Sequence, residues 1–248
     1  MFTITDKKQF SEKVFLFKIE APLIARSRKA GNFVIVRIDK NGERVPLTIA
    51  DADPKKGTIT IVVQKVGLSS CKLCNLEEGD AIMDVVGPLG NPTHIENFGT
   101  VVCAGGGVGV APLLFAGKRL QEQGLKPSFL LGARSAKDLL ELDYFEQLGD
   151  VYVTTEDGSQ GEKGFVTNHS ILKQQRFDRI CTCGPKPMMM AVARYASHAS
   201  IDCEASLENM MACGLGACLC CVEKTTEGNL RVCKDGPVFN INQLLWQI

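Results

Sequence analysis

The sequence predicts a β-barrel or sandwich followed by an α/β domain and closed by a cysteine-rich tail. Three observations carry this. Short runs alternate apolar and polar positions through the first ninety or so residues. Strands alternate with helices from Thr100 onward, and glycines and cysteines crowd the chain after Cys203. At 248 residues and 45% apolar content, two compact domains and a small appendage are expected, over residues 1–92, 93–202 and 203–248.

In the first part, Phe33–Ile38, Thr58–Gln64 and Asp80–Val85 read as strands. Lys40-Asn41-Gly42, Asp53-Pro54 and Glu78-Gly79 supply the turns between them, as expected of a small antiparallel barrel. The run Gly87-Pro88-Leu89-Gly90-Asn91-Pro92 is rich in breakers and reads as a boundary. Beyond it come a buried strand at Val101–Ala104, a glycine loop and a helix from near Pro112 through Leu120. Further strands are expected at Ser128–Leu131, Val151–Thr154 and Arg179–Thr182, with helices at Leu139–Leu148 and Pro187–Ala196. That rhythm predicts a parallel sheet with crossover connections, whose ligands gather at the carboxyl ends of the strands.

The 28 basic and 28 acidic residues cancel, and no Lys/Arg run offers a footprint for nucleic acid or an anionic membrane. The opening residues lack the basic and apolar regions of an export signal, so a cytoplasmic location is expected. Phe98 to Gly117 is free of charge, but its glycines and Pro112 suit strand, loop and helix better than a membrane span.

Eleven cysteines without an export signal point to metal or redox chemistry rather than disulfides. Cys213, Cys218 and Cys221 follow a C-x4-C-x2-C spacing within one glycine-containing loop, and Cys233 comes later. This matches plant-type [2Fe–2S] ligation. Gly214, Gly216 and Ala217 leave room for the close backbone approach such a loop needs. A structural zinc site and incidental buried cysteines are the alternatives, although zinc ligands usually come as pairs on two arms. Cys220 breaks the spacing and reads as a non-ligand, while Cys71-x2-Cys74, Cys103 and Cys181 read as ordinary buried or half-buried residues.

Gly105-Gly106-Gly107-Val108-Gly109 lies between a buried strand and a helix start, where bare N–H groups can receive a pyrophosphate. It is not a G-x-G-x-x-G fingerprint, and a bare strand-to-helix turn that uses glycine for packing is the alternative. Cys183-Gly184-Pro185 follows a later strand and opens another helix, and two such strand ends suit a dinucleotide. The Met188–Met190 run reads as core-facing helix.

These motifs resemble the ferredoxin-reductase-like superfamily, and within it the electron-transfer subunits of class 1B dihydroorotate dehydrogenases. The resemblance spans the chain and is most specific in Leu207–Cys221 and Arg231–Phe239. It implies a fold made of an FAD-binding β-barrel, a nucleotide-binding parallel-sheet domain and a C-terminal [2Fe–2S] cluster segment. In that family an R-P-[IL]-S-type segment meets the flavin, and Val45-Pro46-Leu47-Thr48 is similar to it. Val62-Val63-Gln64 and Ser69-Ser70 match stretches that hold the rest of FAD. The sequence departs at Val45, where the family usually has arginine; Arg44 stands one position earlier and is expected to reach the flavin or its phosphate from there. Glu43 to Asp51 is also similar to the small flavoprotein subunit of sulfide dehydrogenase or NADH-dependent ferredoxin:NADP oxidoreductase.

The implied function is an oxidoreductase relay from dihydroorotate, oxidised in an FMN-containing partner subunit, through [2Fe–2S] and FAD to NAD⁺. The expected assembly is a heterotetramer, two of each subunit. His94, His169 and His198 lie beside no motif, so no catalytic side chain is assigned to this chain. Met210, Met211, Leu215 and Leu219 mark a candidate docking surface, with a core role the alternative for the two methionines. NADP remains open beside NAD, because Arg134 and Ser135 suit a 2′-phosphate while Asp157 suits a ribose hydroxyl. A ferredoxin- or sulfide-linked subunit and a non-enzymatic iron–sulfur sensor or zinc module are the competing readings.

Overall fold

The computed structural model describes residues 1–140 and 142–246. The chain divides into two compact units: residues 1–93, 208–224 and 228–237 form the first, and residues 94–207, 225–227 and 238–248 the second.

In the first unit the strands are β1 (Phe2–Ser11), β2 (Val14–Glu20), β3 (Phe33–Arg37), β4 (Val45–Asp53), β5 (Thr58–Gln64), β6 (Ala81–Ile82) and β7 (Asp84–Leu89). Short helices α1 (Pro22–Ser27) and α2 (Leu68–Cys74) lie between them. The sheet runs β6-β1-β2-β5-β4-β3-β7, a nearly closed antiparallel barrel whose end strands adjoin in sequence. Alternation explains its core: Phe15, Phe17 and Ile19 on β2, Val34 and Val36 on β3, and Ile59, Ile61 and Val63 on β5 all point inward.

The breaker run at Gly87–Pro92 behaves differently from a plain linker. Gly87, Pro88 and Leu89 belong to β7, at the edge of the sheet, and Pro88 lies where the β3–β7 register shifts. A proline can occupy such a position because an irregular edge needs no N–H from it. Asn91 then donates its N–H to the Gly236 carbonyl at 2.7 Å, anchoring the later cysteine segment.

In the second unit β8 (Val101–Gly106), α3 (Val110–Glu122), β9 (Ser128–Ala133), α4 (Leu142–Glu146), β10 (Asp150–Thr155), β11 (Glu162–Lys163), α5 (Ile171–Gln174), β12 (Arg179–Cys183), α6 (Lys186–Ala199) and β13 (Asp202–Ser206) follow in order. The expected Leu139–Leu148 helix is shorter, because Leu139 is extended after a 3₁₀ turn; its Glu141 lies outside the described residues. A hairpin, β14 (Val222–Thr225) and β15 (Gly228–Arg231), precedes β16 (Val238–Asn240). The sheet order is β11-β10-β9-β8-β12-β13-β16, parallel except that β16 pairs antiparallel with β13. Strand alternation therefore continues past Cys203, through β13. No helix among the described residues is long and apolar enough to cross a membrane; Phe98–Gly117 contributes β8, a 3₁₀ turn and the start of α3.

Candidate cofactor sites

The parallel sheet reverses direction beside β8. The chain moves outward through β9, β10 and β11, then returns to place β12 against the other side of β8. A crevice at such a switch point is where open α/β sheets bind ligands. The Gly105–Gly109 loop and the Cys183–Pro185 loop both leave strands there, with Cys183 in register with Gly105. They touch so closely that a Cβ on Gly109 would lie 2.5 Å from the Gly184 Cα. On Gly106 it would lie 2.8 Å from the Met188 sulfur. The glycines thus bring two loops together and leave their main chain bare, as a bound pyrophosphate requires. Beyond β9 and β10, Asp157 accepts both the N–H and the hydroxyl of Ser159, and the Ser135 hydroxyl donates to Asp138. The Ser159 bonds hold the Asp157 carboxyl below its usual range.

In the barrel, β4 changes partner along its length. Val45–Thr48 pair with β3, whereas Ile49 onward pair with β5. On β5, Val62, Val63 and Gln64 pair only with β2. The two strands therefore part beyond Ile49 and Ile61, and main-chain groups of Val45–Thr48 and Val62–Gln64 flank the gap. Leu47 packs on the core and Val63 lies within it. Alternation puts Pro46, Thr48, Val62 and Gln64 on the outer face. This edge fits a flavin ring, which needs main-chain donors and acceptors along one side and a hydroxyl such as that of Thr48. In α2 the Ser69 hydroxyl donates to Glu43 at 2.9 Å. Ser70 accepts from the N–H groups of Val66 and Gly67, so its hydroxyl is committed to shaping the turn.

The cysteine loop packs on the same outer face. Gly214 has φ +72°, and a Cβ there would lie 2.6 Å from Ile35 Cδ1 and 2.8 Å from Leu89 Cδ1. Ile35 is the register partner of Pro46. The loop also needs φ +80° at Gly216 and φ +60° at Leu219.

Its thiols fall into two pairs. Cys213 Sγ accepts from the N–H groups of Leu215 (3.3 Å) and Cys218 (3.4 Å). Those backbone bonds, Cys218 first and then Leu215, together with the Cys218 thiol, bring the Cys213 thiol down to about 6. Cys233 donates its N–H to Cys221 Sγ at 3.3 Å. Burial first, and then the Cys221 thiol, pushes the Cys233 thiol up to about 12. The Arg231–Asp235 bridge holds the turn that presents Cys233. Two thiol pairs suit two irons, each taking two cysteine sulfurs. Among the described residues, no group of three or more His, Cys, Asp or Glu side chains is arranged to hold a single metal ion. Cys220 is exposed, and Cys71, Cys74, Cys103 and Cys181 lie outside the loop.

Arg44 was missed as a partner of this loop. Its Nη2 donates to the Cys213 carbonyl at 3.5 Å.

A barrel with a split flavin edge, joined in sequence to a parallel sheet with glycine loops at its switch point, defines a ferredoxin-reductase-like oxidoreductase. The family model for the iron–sulfur cluster binding domain of dihydroorotate dehydrogenase B matches residues 208–245, and that for the oxidoreductase NAD-binding domain matches residues 103–194. The chain is 39% identical over 246 residues to the dihydroorotate dehydrogenase B (NAD(+)) electron transfer subunit homolog of Thermotoga maritima, covering 98% of this chain and 87% of the relative. It is 35% identical over 251 residues to the Bacillus velezensis electron transfer subunit of the same enzyme, covering 98% and 97%. A solved NADH-dependent reduced ferredoxin-NADP oxidoreductase superposes with a TM-score of 0.93 at 38% identity, over 98% of this chain and 89% of that one. The chain belongs to the family of dihydroorotate dehydrogenase B electron-transfer subunits. Membership makes it an oxidoreductase subunit rather than a free-standing zinc module or sensor.

Proposed function

We propose that this chain carries electrons from dihydroorotate, oxidised in an FMN-containing partner subunit, by way of a [2Fe–2S] cluster and FAD to NAD⁺, in pyrimidine biosynthesis. The observation that carries this reading is the pairing of four thiols, three from a loop laid on the barrel face that also bears the split β4–β5 edge and the fourth, Cys233, from the turn after β15. Cys213, Cys218, Cys221 and Cys233 would hold the cluster. The outer side chains of Pro46, Thr48, Val62 and Gln64, the main chain of Val45, Leu47 and Val63, and the turn shaped by Ser69 and Ser70 would hold FAD. Gly105 to Gly109 and Cys183 to Pro185 would receive the nicotinamide dinucleotide. When bound, FAD exchanges single electrons with a cluster and a hydride with a nicotinamide.

Deprotonation of dihydroorotate falls to the partner. His94 pairs with Glu96, and His169 accepts from the Ile171 N–H, so neither serves these sites. The family resemblance supports a heterotetramer of two subunits each.

A second reading, a ferredoxin–NADP oxidoreductase subunit, draws on the 38% identical solved structure and on Val45 in place of the usual arginine. Co-expression with a dihydroorotate-oxidising subunit separates the two. Dihydroorotate-dependent NADH formation by the purified complex supports the first reading. Failure to form that complex, with reduced ferredoxin serving as donor instead, supports the second.

A further inference from the structure

We infer that Arg44 is a positioning residue of the cluster, clamping the cysteine loop to the flavin-facing strand and tuning the electron affinity of the iron–sulfur centre. The inference rests on the proposed presence of that centre. Arg44 immediately precedes β4 and shares its parity with Pro46 and Thr48, the outward positions of the split edge. Its guanidinium turns to the Cys213 carbonyl at 3.5 Å, while its Nε is buried without a hydrogen-bond partner.

The neighbouring contacts show why the loop needs a clamp at this point. On one side Gly214 rests on Ile35, whose register partner is Pro46, two residues from Arg44. On the other, Gly216 lies under Arg231 and Lys234: a Cβ there would meet Lys234 Cδ at 3.1 Å and Arg231 Nη1 at 3.4 Å. Arg231 is bound to Asp235 by two side-chain hydrogen bonds, so its charge is already matched. Among the described residues Arg44 has no such carboxylate: the adjacent Glu43 accepts from Ser69 instead. The Arg44 guanidinium is directed at the main-chain carbonyl of the first cysteine of the loop. A cation held near thiolate-ligated irons favours the reduced, more negative state, and hydrogen bonds and net charge are the levers that set such potentials. With Arg44 turned to the Cys213 carbonyl, its expected contact with the flavin gives way to one with the cluster loop.

The test compares wild type, Arg44→Gln and Arg44→Lys as purified full-length chains. Iron and FAD content are measured, and the cluster and flavin potentials are followed by EPR and visible spectroscopy during reductive titration. The expected result for Arg44→Gln is a cluster that reduces at a more negative potential, or loses iron, while FAD content and flavin potential hold. Arg44→Lys should recover part of the shift because it keeps the charge. An unchanged cluster potential, loss of FAD alone, or joint loss of both groups in the two variants overturns the inference. Absence of iron from the wild-type chain refutes the underlying reading instead, and is seen before any variant is made.

Discussion

Cys220 and Cys218 are two residues apart and both exposed, yet only Cys218 offers its N–H and thiol to Cys213. Cys218→Ser should therefore abolish the cluster's visible absorption, while Cys220→Ser should leave iron content at the wild-type level; iron analysis of both variants checks the assignment. Gly214 supplies a second test. Alanine at φ +72° costs about 1–2 kcal/mol in backbone strain alone. Its methyl group would also press on Ile35 and Leu89. Gly214→Ala is expected to lower the thermal midpoint and the iron content together, with FAD retained. The C-x4-C-x2-C spacing was legible because ligands on one loop leave a local pattern. The Arg44 contact was not, since it joins residues 169 positions apart and no local pattern encodes it.

Among the elements, strand positions were the easiest to read. Thr58–Gln64 is a strand over the expected residues and Phe33–Ile38 ends one residue early; both are short apolar, β-branched runs bounded by turn residues, which mark a strand even when both faces are buried. Gly87-Pro88 concealed a strand, since edge position and register shift are properties of the sheet rather than of the dipeptide. The glycine loop was legible as a loop; its contact with Gly184 was not. Gly109→Ala forces backbone against backbone, and such overpacking costs roughly 1–3 kcal/mol. It should weaken NADH binding about tenfold or more, as read by titration, with iron and FAD contents unchanged.

His169 carries a pH dependence for the same unit. Burial lowers its affinity for a proton, only partly offset by Glu162 at 3.6 Å. The unfolded chain then binds more protons than the folded one near and below pH 6.5, so this contribution is present above 6.5 and is lost as pH falls through the lowered folded value. The thermal midpoint should drop between pH 7 and pH 5, and His169→Gln should flatten that slope.

For the whole molecule, the two units divide the proposed chemistry. The barrel carries both the split flavin edge and the thiol loop, and the parallel sheet carries the dinucleotide loops. A chain with Cys221→Ser should keep FAD and still oxidise NADH with an artificial dye, because that route does not need the cluster. It should not pass electrons from a partner. The most direct measurement is dihydroorotate-dependent NADH formation by the co-purified complex, made with the wild-type chain and with Cys221→Ser. NADH formation with the wild type and at least a hundredfold less with the variant is the expected result; equal rates from the two complexes, or none from the wild type, would contradict a relay through these four cysteines.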